Sequence, residues 1–176
     1  MTEEIRLATL ADAPAILDLT LRAYAPIREL GLSFPAATAD LGKVENNIRR
    51  QRTYVLLVDG SIVSTVSISL PEWVRQVIEY PFELPFIWWF ATDPEYGGKG
   101  IGGRLLDRVE ELACRELNSD AVTLSTSTRH PWLVDMYKRR GYETVKETDK
   151  GEQGISVIMR KAINLGHTES EKEGEH

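Results

Sequence analysis

Between Asp93 and Leu106 the chain reads Asp-Pro-Glu-Tyr-Gly-Gly-Lys-Gly-Ile-Gly-Gly-Arg-Leu-Leu, and five of the seven residues from Gly97 to Gly103 are glycine. An apolar, aromatic run precedes this segment and an apolar-periodic run follows it, so it reads as a strand–loop–helix junction. Glycine removes the Cβ that would keep a ligand off the backbone and admits unusual dihedrals. The first turn of a helix leaves amide N–H groups without intrahelical partners, at the positive end of the helix dipole. The combination predicts a phosphate-binding site; a loop that merely caps a helix needs one or two glycines. Two nucleotide readings fit less well. Gly98-x-Gly100-x-x-Gly103 matches the dinucleotide fingerprint, which also needs an acid about twenty residues on, at the end of the next strand. That strand ends Ser125-Thr126-Ser127, and Asp120 stands at its beginning. A nucleotide P-loop needs Ser or Thr after Gly-Lys, and here Gly98-Lys99 is followed by Gly100.

The stretch Asp93 to Leu106 resembles the "DPEYRGKGIGSRLL" segment of the GNAT superfamily of N-acetyltransferases. A second block, Trp132-Leu133-Val134-Asp135-Met136-Tyr137-Lys138-Arg139-Arg140-Gly141-Tyr142-Glu143, resembles that family's "A…LYEKLGFE" segment at a similar spacing. The resemblance covers Ile5 to Ala162. It implies transfer of an acetyl group from acetyl-CoA to a primary amine, by direct attack in a ternary complex and without a metal. It implies that backbone groups of Phe90, Ala91 and Thr92 pair with the pantetheine amides. The amides of Gly97, Gly98, Lys99, Gly100, Ile101, Gly102 and Gly103 are expected to hold the pyrophosphate. Tyr137 is expected to protonate the leaving thiolate. Gly97 stands where the family prefers Gln or Arg, and His130 stands where it often has an Asn that helps orient the helix and the cofactor; an imidazole can also hydrogen-bond, so His130 is expected at the cofactor site. The acceptor is expected to be a small-molecule amine or a protein amino group. Many relatives are dimers, so a homodimer is possible.

Acetyl transfer to an amine needs a neutral nucleophile, a polarised thioester carbonyl and a proton for the departing sulfur. Family members often supply the base as a Glu on the strand before the loop, where this chain has Phe86 and Trp88. Glu83, and behind it Glu79, are the candidates in the preceding connection; ordered water is the other route. Trp73, Phe82, Phe86, Trp88 and Trp89 suggest either packing or an aromatic acceptor pocket with Glu72, Glu79 and Glu83 attracting a cation. On a regular strand Phe86, Trp88 and Phe90 face one way and Ile87 and Trp89 the other. Cys114 lies within a helical run with no histidine partner in view and reads as packing. The absence of a strand glutamate leaves open a non-catalytic CoA sensor or binding module; Tyr137 argues against it. A dinucleotide-binding protein is the third reading.

Stepwise along the chain, Ile5 to Leu7 alternates like a strand, and Thr9 to Asp12 has the form of a capping box. Ile16, Leu19, Thr20, Ala23 and Ile27 predict one helix, and Leu41, Val44 and Ile48 a second. Tyr54 to Val58 and Ile62 to Leu70 are strand-like, joined by the hairpin signal Asp59-Gly60. Pro71 to Pro85 is a long connection. Then come a strand over Phe86 to Thr92, a helix over Ile101 to Leu117 and a strand over Ala121 to Ser125. A helix over Trp132 to Arg140 and strands over Tyr142 to Glu147 and Ile155 to Met159 complete the pattern. The expected fold is α/β, a mixed and mostly antiparallel sheet of about seven strands flanked by helices. One domain is expected over residues 1–163, followed by an acidic, disordered tail over 164–176.

Composition narrows the functional classes. The net charge is −6, and no extended Lys/Arg patch accompanies it beyond Arg49, Arg50 and Arg52, so nucleic acid is not an expected partner. Apolar runs are far too short to span a bilayer, and the Met-Thr-Glu-Glu start lacks the basic region of a secretory signal. A single cysteine forms no internal disulfide and no cysteine-rich metal site. A cytoplasmic location is the expectation.

Overall fold

The computed structural model describes residues 2–32, 34–130 and 132–164. The tail expected from residue 164 falls, from 165 on, outside the described residues. Seven strands form one sheet in the order β1-β2-β3-β4-β5-β7-β6. They are β1 (Glu3–Leu7), β2 (Arg52–Val58), β3 (Ser61–Ser69), β4 (Phe86–Thr92), β5 (Ala121–Ser127), β6 (Glu143–Asp149) and β7 (Ile155–Ala162). Every neighbouring pair is antiparallel except β4 and β5.

Local chemistry explains the joints. Asp59 and Gly60 both take positive φ, 49° and 83°, which a two-residue type I′ hairpin requires. The Thr9 amide donates to Asp12 Oδ2 at 2.7 Å, closing the expected box at the entry to α1 (Ala13–Ala23). The single helix expected through Ile27 is two: α1 ends at Ala23, and α2 (Ala25–Glu29) begins beyond Tyr24. Pro26 sits in the first turn of α2, the place where a residue without an N–H is tolerated. In the long connection, Pro71–Val74 form one helical turn, α4. Tyr80 pins the rest, its hydroxyl 2.8 Å from the Leu84 carbonyl and 2.6 Å from Thr123 Oγ1.

Two layers of helix cover the sheet. On one face α5 (Ile101–Glu116) buries Ile101, Leu105, Leu106, Val109 and Ala113 against Leu56, Val66, Val122 and Met159. Full burial of such a side chain stabilises by about 1.5–3 kcal/mol. Cys114 joins this core, and burial pushes its thiol up to about 11, as befits a packing residue. On the other face α1 and α3 (Leu41–Arg50) pack with Val55, Leu57 and Trp89. The helix α6 (Leu133–Arg139) lies against β5.

Strand β4 departs from simple alternation. Thr65 pairs with Ala91 and Ser67 with Trp88, so three steps on β4 oppose two on β3, a β-bulge. Trp89 sits inside it at φ 54°, a left-handed conformation that costs a bulky residue about 1–3 kcal/mol. The bulge turns the following side chains over. Ile87 and Phe90 belong to the α5 face, whereas Phe86, Trp88 and Trp89 belong to the other. The expected grouping of Phe90 with Phe86 and Trp88, and of Trp89 with Ile87, is therefore reversed at those two positions.

Candidate active site

Strands β4 and β5 are paired at two positions, Phe86 with Thr123 and Ile87 with Leu124. Beyond them the strands part. A cavity of about 910 Å³ occupies the gap, lined by Phe90 and Ala91 on one side and Ser125 and Thr126 on the other. The β4 backbone past Ile87 thus presents an edge toward β5 that no strand covers.

The glycine loop lies at the end of this strand. Gly98 and Gly100 take φ of 78° and 74°, which glycine adopts without a Cβ penalty. Among the described residues, the amides of Gly98, Lys99, Gly100, Ile101, Gly102 and Gly103 donate to no protein acceptor. Gly97 differs: its amide donates to the Pro94 carbonyl at 3.2 Å, so it is not free for an anion. Gly102 has a second role. A Cβ there would lie 2.6 Å from Thr92 Oγ1 and 3.0 Å from Phe90 Cζ, so glycine lets α5 press onto β4. Ile101 is buried in the core and anchors the loop's far end, while Lys99 is exposed with its ammonium 5.2 Å from the Tyr96 ring centre. An open strand edge leading to a row of free amides suits a ligand with an amide-bearing arm and a pyrophosphate, as coenzyme A has.

Tyr137, on α6, is buried and lines the cavity. Its ring meets Tyr142 edge-on at 5.6 Å. Its hydroxyl finds no hydrogen-bond partner among the described residues, and burial pushes its pKa up, so it holds its proton at neutral pH. His130 also lines the cavity. Its Nδ1 accepts from the amides of Leu133 at 3.3 Å and Trp132 at 3.5 Å, satisfying two N–H groups at the start of the helix that carries Tyr137. An accepting Nδ1 places the proton of the neutral ring on Nε2, and burial lowers the pKa of the imidazole. With one nitrogen accepting and the other already protonated, His130 is a poor general base.

Tyr24, between α1 and α2, was not singled out by the sequence. It lines the cavity, and its hydroxyl donates to the Phe90 carbonyl at 2.8 Å. Burial, with the Tyr137 phenol as a smaller contributor, raises its pKa. The signal in the sequence was the Tyr24-Ala25-Pro26 break in an otherwise continuous apolar stripe. The Phe90 carbonyl, expected to serve the pantetheine, is thus already engaged on one side.

The acidic candidates lie elsewhere. Glu83 is exposed and ion-paired with Arg75, and Glu79 faces solvent 3.6 Å from Lys146. Neither they nor Glu72 line the cavity, so the structure does not bring Glu83 to the site as a base, nor the three acids to an aromatic pocket as a cation lure. Their connection is turned outward because Tyr80, Phe82 and Trp73 take the inward positions. The aromatic lining itself is present: Trp73 stacks on Trp88 with ring centres 4.7 Å apart. Among the described residues the wall holds no aspartate or glutamate, and its cations are Lys43 and Lys150. Two buried oxygens of wall residues, Asn47 Oδ1 and Thr126 Oγ1, have no protein partner.

A seven-stranded sheet split between β4 and β5, with a free-amide loop at the start of α5, is the frame of an acetyl-CoA-dependent N-acetyltransferase. The model of the Acetyltransferase (GNAT) family matches residues 16–142, and the chain belongs to that family. Over 164 residues it is 46% identical to an S-(2-succino)cysteine N-acetyltransferase of Bacillus subtilis, covering 93% of this chain and 98% of that one. An S-alkylcysteine N-acetyltransferase of the same organism is 45% identical over 166 residues, covering 93% and 91%. Among solved structures, the PaiA N-acetyltransferase of Thermoplasma acidophilum, in complex with coenzyme A, superposes with a TM-score of 0.72 at 16% identity, over 93% of this chain and all of that one. Among the described residues, no helix is long and apolar enough to cross a membrane.

Proposed function

We propose that this enzyme acetylates the α-amine of S-substituted cysteines. The observation that carries the reading is near-end-to-end identity of 46% and 45% with two relatives so named. The cavity agrees with it. Its volume of about 910 Å³ falls in the range of small-molecule sites. Aromatic and aliphatic groups around Trp73, Trp88 and Phe34 suit a thioether, because sulfur packs favourably on aromatic rings. A wall without carboxylates disfavours polyamines, which need anionic partners.

Acetyl-CoA supplies an activated acetyl thioester. The free amides of Gly98 to Gly103 hold its pyrophosphate, and the uncovered edge of β4 at Phe90 to Thr92 aligns its arm. Tyr24 fixes the Phe90 carbonyl and with it the bulge, so the backbone at the reacting carbonyl does not have to reorganise. Tyr137 places an O–H donor at the departing sulfur. His130 sets the position of Tyr137 by capping α6. Among the described residues, no side chain in the cavity is suited to take the proton from the ammonium, so the amine enters as its neutral minority form and water carries the proton away.

The test is a thiol-release assay with acetyl-CoA across S-substituted cysteines, free cysteine, spermidine and peptide N-termini. S-substituted cysteines are expected to have the highest kcat/KM. A polyamine or peptide preferred over all of them would overturn the assignment.

A further inference from the structure

Resting on that reading, we propose that Lys43 and Lys150 receive carboxylates of the acceptor's S-substituent, so that the enzyme favours anionic S-substituted cysteines over S-alkyl ones. The two relatives of nearly equal identity carry names that differ in this respect, a succinyl thioether with two extra carboxylates against a plain alkyl thioether. The wall of the cavity decides between them.

The lysines reach the cavity from the two halves of the sheet. Lys43 stands on α3, which packs on β2. Lys150 stands in the turn between β6 and β7. Both are exposed at the cavity's rim, whereas its interior is aromatic and aliphatic. The Lys43 ammonium donates to the Thr38 carbonyl at 3.3 Å, a neutral acceptor that leaves its charge uncompensated. The Lys150 ammonium meets no acceptor among the described residues. With no carboxylate in the wall to offset them, the two charges make the cavity mouth positive, and an anionic ligand supplies the counter-charge. The polar wall groups nearest Lys43 in sequence, Asn46 and Asn47, add no negative charge. An S-alkyl group would leave both ammonium groups to water; a succinyl group brings carboxylates to the rim while its thioether carbon stays on the aromatic interior.

Two acceptors sharing one α-amine and one α-carboxylate separate the substituent from the amino-acid part: S-(2-succino)cysteine and S-butylcysteine. The wild-type chain is expected to favour the first by roughly tenfold or more in kcat/KM, the size of one charge-assisted hydrogen bond. Lys43→Met and Lys150→Met are each expected to raise KM for S-(2-succino)cysteine roughly tenfold, with kcat little changed and the double variant worse than either. KM for S-butylcysteine is expected to move less than twofold. Raising ionic strength should weaken S-(2-succino)cysteine selectively, because the contacts are at an exposed rim. Equal losses for both acceptors would mean that the lysines hold the shared α-carboxylate and would overturn the proposal, as would no loss for either or a wild-type preference for S-butylcysteine. A wild type that acetylates other amines but neither thioether would instead remove the assignment on which the proposal rests.

Discussion

Tyr137 combines a ring packed in the core with a hydroxyl that has no hydrogen-bond partner among the described residues. Removing that hydroxyl costs no internal partner, so Tyr137→Phe is expected to melt close to the parent. Its pKa, raised by burial, sets the kind of help it gives. A thiol loses its proton near pH 8.5, well below a phenol at about 10, so full transfer from a buried tyrosine to the departing sulfur is uphill. The residue acts chiefly by donating a hydrogen bond as charge develops on sulfur. Such a donor is worth about 10²–10³ in kcat. Steady-state kinetics should show that loss with KM for acetyl-CoA little changed; full activity in Tyr137→Phe would exclude the role. His130 gives a second prediction with a definite sign. Burial holds its pKa below the unfolded value of about 6.5, so the folded state binds fewer protons there. Its contribution is complete above about pH 6.5 and is lost as pH falls through the unfolded pKa toward the folded one. In His130→Asn the amide can still cap α6 but cannot titrate. Between pH 8 and 5 the parent should lose melting temperature relative to this variant; a constant difference would show that folding does not change the pKa of the ring.

Among the elements, the junction of β4 and α5 is the most constrained. Gly102 and Gly103 are adjacent in sequence, and their consequences are opposite. A methyl at Gly102 would strike Thr92 Oγ1 and Phe90, both seated on a strand that cannot retreat. Gly102→Ala is expected to lose about 1–3 kcal/mol, and affinity for coenzyme A with it. A methyl at Gly103 meets the tip of Arg140 at 3.3 Å, the far end of a long side chain paired with Asp107 at 2.6 Å, which has to give by only a few tenths of an ångström. Gly103→Ala should therefore hold or gain melting temperature, since alanine is favoured over glycine in a helix by about 1 kcal/mol. Thermal melts and calorimetry on the pair check both; equal melts would remove the close-approach argument. The strand–loop–helix junction with its free amides was legible because glycine spacing and helix polarity are local. The helix faces and the Asp59-Gly60 hairpin were legible for the same reason. The β4 bulge was not, because an extra residue in a ladder is defined by the partner strand's register. It misplaced Phe90 and Trp89. Glu83 was misjudged because the inward positions of its connection are decided by Tyr80 reaching Thr123, 43 residues away. Tyr24 escaped notice for the same kind of reason: its acceptor, Phe90, is 66 residues distant.

At the scale of the whole molecule, the cavity joins parts of the chain from α1 to β7 yet contributes no carboxylate among its described residues. Its imidazole is committed to α6. In the proposed mechanism the amine arrives neutral, and its own ionisation should govern the rate. Below the acceptor's pKa, log kcat/KM is expected to rise with pH at a slope of one. The midpoint should move with the amine when acceptors of different basicity are compared. A midpoint fixed near 5–7 regardless of the acceptor would reveal an enzyme base.

The two paired positions between β4 and β5 also bear on the integrity of the sheet. Four strands stand on one side of that seam and three on the other, and in the proposed binding mode the arm of the co-substrate would lie where the missing rungs would be. Bound coenzyme A is in this sense a temporary eighth strand. Its concentration should then be readable as thermal stability, with a gain of about 2.7 kcal/mol at a hundredfold excess over Kd. Amides near the seam, in β4 and β5, should gain the most protection from hydrogen exchange. An enzyme built this way is sturdiest while loaded and loosest between turnovers, so a cell depleted of acetyl-CoA and coenzyme A would also be one in which this protein is cleared fastest.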